Sequence, residues 1–402
     1  MKNKIKTREQ KAFEILKHSL PIKKVLPANF FISRSNKYNK LFSYLYIKTK
    51  KLYEILPKRK NGENPFIHPI NILYALKDAK VLNELTYCIA LLHDYIEEEV
   101  DVYMVKNNLK EDKNGIVILD RYEVKVAKKL EDELLIFCKK NRYDLRNVDV
   151  IMKSVKLLTR HKRHFYYRSI SGIFNCDDNQ VKERVIQVKL ADRTHNILSI
   201  DSFDEQGKMY QCFKNLFILN NTKKYLLDVY GLKVFTRELY SPTEKLFNKC
   251  SKATYDAFLK ICCSSSNKGV MKVKYLLQLA FKKFELNRSG LLAITKLDKR
   301  EAHPMRLFQG VVWKYDARLH HEWKIFDKIK IEELNFCKLF FSDSKFSEKT
   351  LHSILNYKDA FALKEVIAYL IYNPKYYISG FLSSELSKKG RMRKRKKNYS
   401  IV

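Results

Sequence analysis

Glycine and proline are scarce in this chain, with 10 and 8 among 402 residues. An all-β sandwich or barrel needs turn residues at each strand connection, so that class is disfavoured. The same scarcity leaves no glycine-rich phosphate loop. Neither GxGxxG nor GxxxxGK followed by Ser or Thr occurs, and GxSxG is also missing. The eight cysteines form no CxxC pair, and Met1–Lys11 is charged throughout rather than apolar. We expect buried, reduced thiols in a cytoplasmic protein. No apolar run approaches the roughly 20 residues that span a bilayer. The nearest, Val366–Leu382, is interrupted by Asn373–Pro374–Lys375.

Apolar residues make up 46% of the chain, including 24 Phe and 25 Tyr, which is enough to bury a sizeable core. With few turn residues, a mainly α-helical chain is expected. The formal charge is +35, from 79 Lys and Arg against 44 Asp and Glu. Such an excess suits an anionic partner. It also follows from A/T-rich codons, which favour Lys, Ile, Asn, Tyr and Phe. The run Lys388–Lys397 exceeds that background and reads as a basic tail able to hold nucleic-acid phosphates.

Along the chain, residues 1–40 read as a basic N-terminal arm. Helical spacing begins with Leu41, Tyr44, Leu45 and Leu52. After a loop at 58–65, helices are expected at His68–Ala79, Glu84–Glu98, Val124–Lys140, Asn147–Thr159 and Val181–Ile200. The run Gly115–Asp120 looks like a strand, so a small β-hairpin or insertion is expected within Asp101–Tyr122. Ser241–Pro242–Thr243 suggests a boundary near 233–243. We therefore divide the chain into an arm (1–40), a central domain (41–235), a helical C-terminal domain (236–386) and a tail (387–402).

The chemistry concentrates in Leu91–Glu98. His93, Asp94, Glu97 and Glu98 would form a polar stripe on a helix that follows an apolar run. Alone, such a stripe is as easily an exposed face. His68, opening the preceding helix after Pro65–Phe66–Ile67, and Asp192, near an apolar helix face, change that estimate. Two imidazoles and two carboxylates suit Mn²⁺, Fe²⁺ or Zn²⁺. Four protein ligands on a six-coordinate ion leave positions for water and a phosphate oxygen.

The order H…HD…D resembles the HD phosphohydrolases. The finer match is to the guanosine tetra- and pentaphosphate (ppGpp/pppGpp) hydrolases of the RelA/SpoT type and their stand-alone relatives. It rests on Arg59-Lys-Asn-Gly-Glu-Asn-Pro-Phe-Ile-His68-Pro, Ala90-Leu-Leu-His-Asp-Tyr-Ile-Glu-Glu98 and Lys189-Leu-Ala-Asp-Arg-Thr-His-Asn196. The resemblance covers about residues 40–235. It implies an HD-type helical bundle with His68, His93, Asp94 and Asp192 as ligands of Mn²⁺, or of another divalent metal. Glu97 and Glu98 would orient the attacking water and handle its proton. Arg59, with its neighbour Lys60, would hold the purine, and Asn196 would lie near the ribose. Arg163, in the loop 158–164, either holds the pyrophosphate or belongs to a solvated basic loop. The family carries Asp where this chain has Glu98, one methylene longer. No trace of the family's synthetase half follows Tyr230.

The implied activity is removal of the 3′-pyrophosphate to give GDP or GTP. Two alternatives stay open. One is an HD phosphohydrolase acting on another nucleotide; the other is a nucleic-acid-binding protein with a degenerate HD site. His320–His321–Glu322 lacks the second histidine of a zinc-protease helix, because position 325 is Ile.

Overall fold

The computed structural model describes residues 21–59, 61–160, 166–235, 241–265 and, with short gaps, 311–377. It is mainly helical, with no strand among the described residues. The helices are α1 (Ala28–Phe31), α2 (Asn39–Glu54), α3 (Ile67–Asp78), α4 (Glu84–Leu92), α5 (Tyr95–Lys106), α6 (Lys113–Lys140) and α7 (Arg146–Leu158). They continue with α8 (Tyr166–Phe174), α9 (Asn179–Leu198), α10 (Glu205–Tyr230), α11 (Pro242–Ser265), α12 (Trp323–Phe340) and α13 (Glu348–Tyr372). No helix among these residues is long and apolar enough to cross a membrane. All eight cysteines are free, and only Cys263 is exposed.

The strand expected at Gly115–Asp120 is instead the start of α6. Two features override the β-branched run. Asp112 caps the helix, accepting from the N–H groups of Asn114 and Gly115 at 3.1 and 2.9 Å. Leu119, Val126, Leu130, Leu134 and Cys138 then recur on one buried stripe at helical spacing. Val117 and Ile118 are left half exposed, which an apolar strand core would not do.

A second difference lies at the expected helix Glu84–Glu98. It is broken into α4 and α5, with His93 and Asp94 in the turn between them. Asp94 has φ −109° and ψ 3°, outside the helical range, and occupies the N-cap position of α5.

The chain divides into two compact units: one of residues 17–202, 217–250 and 374–402, the other of 1–16, 203–216 and 251–373. The divisions at 216/217 and 250/251 fall inside α10 and α11, and the sequence boundary expected near 233–243 falls within a single unit. In the first unit α9 is central, packing against α3, α4, α7 and α8, while α2 covers α4. Buried positions run almost without interruption from Val185 to His195, so α9 is enclosed on all sides. Asp178 caps it through the N–H groups of Gln180 and Val181, both at 3.0 Å. Of the expected arm, Ile22 is pinned to α3. Its N–H donates to Asn71 Oδ1 at 2.7 Å and its carbonyl accepts from Asn71 Nδ2 at 2.9 Å. In this same unit Lys223 is fully buried, its ammonium 4.5 Å from the centre of the Phe235 ring.

In the second unit α12 packs on α13 around a buried ionic network. Lys314 bridges Glu333, at 2.7 Å, and Asp359, while Lys358 holds the other Glu333 oxygen at 2.6 Å. Residues 1–20 of the arm and the tail run Lys388–Lys397 lie outside the described residues.

Candidate metal centre

Four elements deliver the site. Pro65 and the Asn64 side chain, which accepts from the Phe66 N–H at 2.9 Å, set the entry to α3 and place His68 in its first turn. The α4–α5 break delivers His93 and Asp94 from the far side. The enclosed helix α9 carries Asp192 inward. The loop after α2 brings Arg59, closed by the Gly62 N–H donating to the Arg59 carbonyl at 2.7 Å. Gly62 has φ +80°, a conformation that a side chain would strain.

The ligand atoms of His68, His93 and Asp94 lie within 4.8 Å of one another. His93 Nε2 is 3.1 Å from His68 Nε2 and 2.9 Å from Asp94 Oδ2, and His68 Nε2 is 3.4 Å from Asp192 Oδ1. Two atoms held side by side on one octahedral ion, each about 2.1 Å from it, stand about 3 Å apart. The spacing of the imidazoles matches that. Each imidazole is also held from behind, as metal-ligating histidines are. The Ala90 carbonyl, which can only accept, faces His93 Nδ1 at 2.8 Å. That puts a proton on Nδ1 and leaves Nε2 as the atom available to a ligand. His68 Nδ1 faces His195 Nδ1, also at 2.8 Å.

Charge explains the rest of the arrangement. Burial alone would raise Asp94. The His93 imidazole and the hydrogen bond from His68 instead hold it well below the usual carboxylate range. Burial likewise opposes ionisation of Asp192, which the Lys189 ammonium, 2.9 Å away, overcomes. His93 is raised despite its burial, because Asp94 and Asp192 favour the imidazolium. Burial, with His68 and Arg59 nearby, drives His195 down to about 2, so that ring is neutral. Glu97 is pushed up to about 7 by burial and by Asp94; Glu98 is pushed up to about 8 by burial, then by Asp94, Asp101 and Glu97. Carboxylates crowded in this way are stabilised by a cation among them.

Glu97 reaches toward α7's end, where its Oε1 accepts from the Arg160 backbone N–H. Asn196 links Asp192 to the Arg59 loop. Its Nδ2 donates to Asp192 Oδ1 at 2.6 Å, and its Oδ1 accepts from Arg59 Nη2 at 3.4 Å. Of the sequence candidates, His68, His93, Asp94, Asp192, Glu97, Glu98, Arg59 and Asn196 therefore belong to one connected group. Lys60, Arg163 and His320–His321 lie outside the described residues. Lys189 and His195 carry no role in the sequence reading, yet each lies three residues from Asp192, on its helical face. That spacing was the available signal.

Among the four candidate ligands, the side chains of His68, His93 and Asp192 are 1–5% exposed, while Asp94 keeps 23% of its surface, so the cluster opens on the Asp94 side. Compared with known proteins, the chain matches no family model, no curated protein and no solved structure, so the reading of this site rests on its own residues.

Proposed function

We propose that this chain is a metal-dependent phosphohydrolase that removes the 3′-pyrophosphate of guanosine tetra- or pentaphosphate. One observation carries the reading. Ligand-type side chains from three separated motifs converge within hydrogen-bonding distance, and the same cluster is tied through Asn196 to Arg59. His68, His93, Asp94 and Asp192 would hold the ion, with Mn²⁺ the first choice for a mixed imidazole and carboxylate set. When bound, the ion supplies Lewis acidity toward a phosphoryl oxygen and toward water.

The chain's own groups divide the remaining work. Glu97 and Glu98, once a bound cation favours their ionised forms, would orient a water and take its proton. Attack at the 3′-phosphorus forms one P–O bond and breaks the bond to the 3′-oxygen, which leaves protonated on GDP or GTP. Arg59, a planar cation, suits stacking on the purine. Asn196 keeps that loop in register with the metal ligands.

A nucleotide panel with Mn²⁺ tests this, with wild type beside Asp94→Asn. Pyrophosphate release from guanosine tetraphosphate should fall by at least 100-fold in the variant. Absent turnover of that substrate, with strong phosphate release from deoxynucleoside triphosphates or mononucleotides, would sink the substrate assignment.

A further inference from the structure

Tyr53 lies in the last turn of α2, and nothing in the sequence pattern distinguishes it from a core aromatic. It is 2% exposed, and its hydroxyl has no hydrogen-bond partner. Neighbouring tyrosines behave differently: the hydroxyls of Tyr46, Tyr87 and Tyr95 donate to Leu26 O, Val81 O and Glu99 Oε1 at 2.7–3.0 Å. A buried hydroxyl left unpaired is costly, and such exceptions call for an explanation.

Its position supplies one. The ring packs edge-on against Phe66 at 5.8 Å, two residues before His68. One turn earlier on the same face, Thr49 donates to the Leu91 carbonyl at 3.4 Å, two residues before His93. The chain then runs directly into the Arg59 loop. The charges acting on the phenol are those of Asp94, Glu98, Arg59 and Glu97, all members of the site. Burial, reinforced by those carboxylates, keeps the phenol protonated and therefore a donor. Charges from both the cationic loop and the acidic side thus act on one buried, unpaired hydroxyl, whose ring packs beside the segment that carries His68. A phosphoryl oxygen bound between the two sides would give that hydroxyl the acceptor it lacks.

We propose that Tyr53 is a further substrate-contacting residue, its hydroxyl donating a hydrogen bond to a phosphoryl oxygen of the bound nucleotide. This rests on the phosphohydrolase reading, but its test does not need turnover. The full-length protein loaded with Mn²⁺ is titrated with inorganic pyrophosphate by calorimetry, as wild type and Tyr53→Phe. Mn²⁺ affinity and melting temperature are measured on both. The substitution keeps the ring against Phe66 and removes one oxygen. We expect unchanged Mn²⁺ affinity, an unchanged or higher melting temperature, and pyrophosphate binding weakened about tenfold.

Unchanged pyrophosphate affinity overturns the proposal, whatever the melting temperature does. A variant that loses Mn²⁺ affinity together with pyrophosphate also overturns it, because the hydroxyl would then act through the ligand set. A wild type that binds Mn²⁺ but no pyrophosphate overturns the role of Tyr53 and leaves the metal ligands standing. A wild type that binds no Mn²⁺ overturns the metal reading and the proposal with it. A wild type that binds both but releases no pyrophosphate from guanosine tetraphosphate defeats only the substrate assignment.

Discussion

Asp94 occupies the N-cap position of α5, yet its carboxylate accepts nothing from the first N–H groups of that helix. Aspartate is among the best capping residues, and a cap contributes about 1 kcal/mol. Here the carboxylate turns instead to His93 and His68, as expected of a group placed for a ligand rather than for the helix. A different conflict between stability and charge appears at Lys223. Its burial drives the ammonium down to about 7 from an ordinary value of 10.5. Between those values the unfolded chain binds more protons than the folded one, so this group's contribution to stability rises with pH across that window. Lys223→Met should stabilise the protein at pH 7 on the order of 2 kcal/mol. In urea denaturation the advantage should shrink steadily toward pH 10. A difference that stays constant or grows with pH would contradict the assignment.

At the scale of elements, α6 offers the clearest test. Leu130 faces inward at 1% exposure, and Ile136 is 68% exposed on the same helix. Leu130→Ala should cost about 2–5 kcal/mol and Ile136→Ala well under 1 kcal/mol, read from denaturation midpoints. The extension of this helix back to Lys113 was not legible in the sequence. The β-branched run at 116–118 imitates a strand, and only the Asp112 cap together with the distant Leu130–Cys138 part of the stripe reveals a single helix. The break at His93–Asp94 was hidden for a related reason. Leu91–Glu99 has continuous helical character, and the turn is set by what the two side chains face. The bounds of α3, α7 and α9 were legible within about two residues, because caps such as Asp178 and an apolar spacing of 3.6 act locally, whereas α5 runs on to Lys106, well past the expected end at Glu98. Most site members were legible by motif. His195, Lys189 and Tyr53 were not, because their roles depend on which atom of another element stands opposite.

On the scale of the whole molecule, two of the divisions between the units, at 216/217 and 250/251, fall inside helices, so the primary sequence could not mark them. The second unit neutralises its buried network internally, two ammonium groups against two carboxylates. The first unit gathers Asp94, Glu97, Glu98 and Asp192 at one place, with the Lys189 ammonium beside Asp192. That asymmetry has a consequence for time rather than for affinity. The paired His68 and His195 are separated by 127 positions, and the full ligand set exists only after α3, the α4–α5 turn and α9 have docked. An ion held by these side chains therefore stabilises the finished structure and not the barrier leading to it. Stopped-flow measurements should find that saturating Mn²⁺ slows unfolding at least tenfold while leaving the refolding rate nearly unchanged. Equal effects on both rates would mean that the ligands assemble early. If the rates behave as expected, the metal acts as a latch closed last, and loss of the ion sets the lifetime of the native chain.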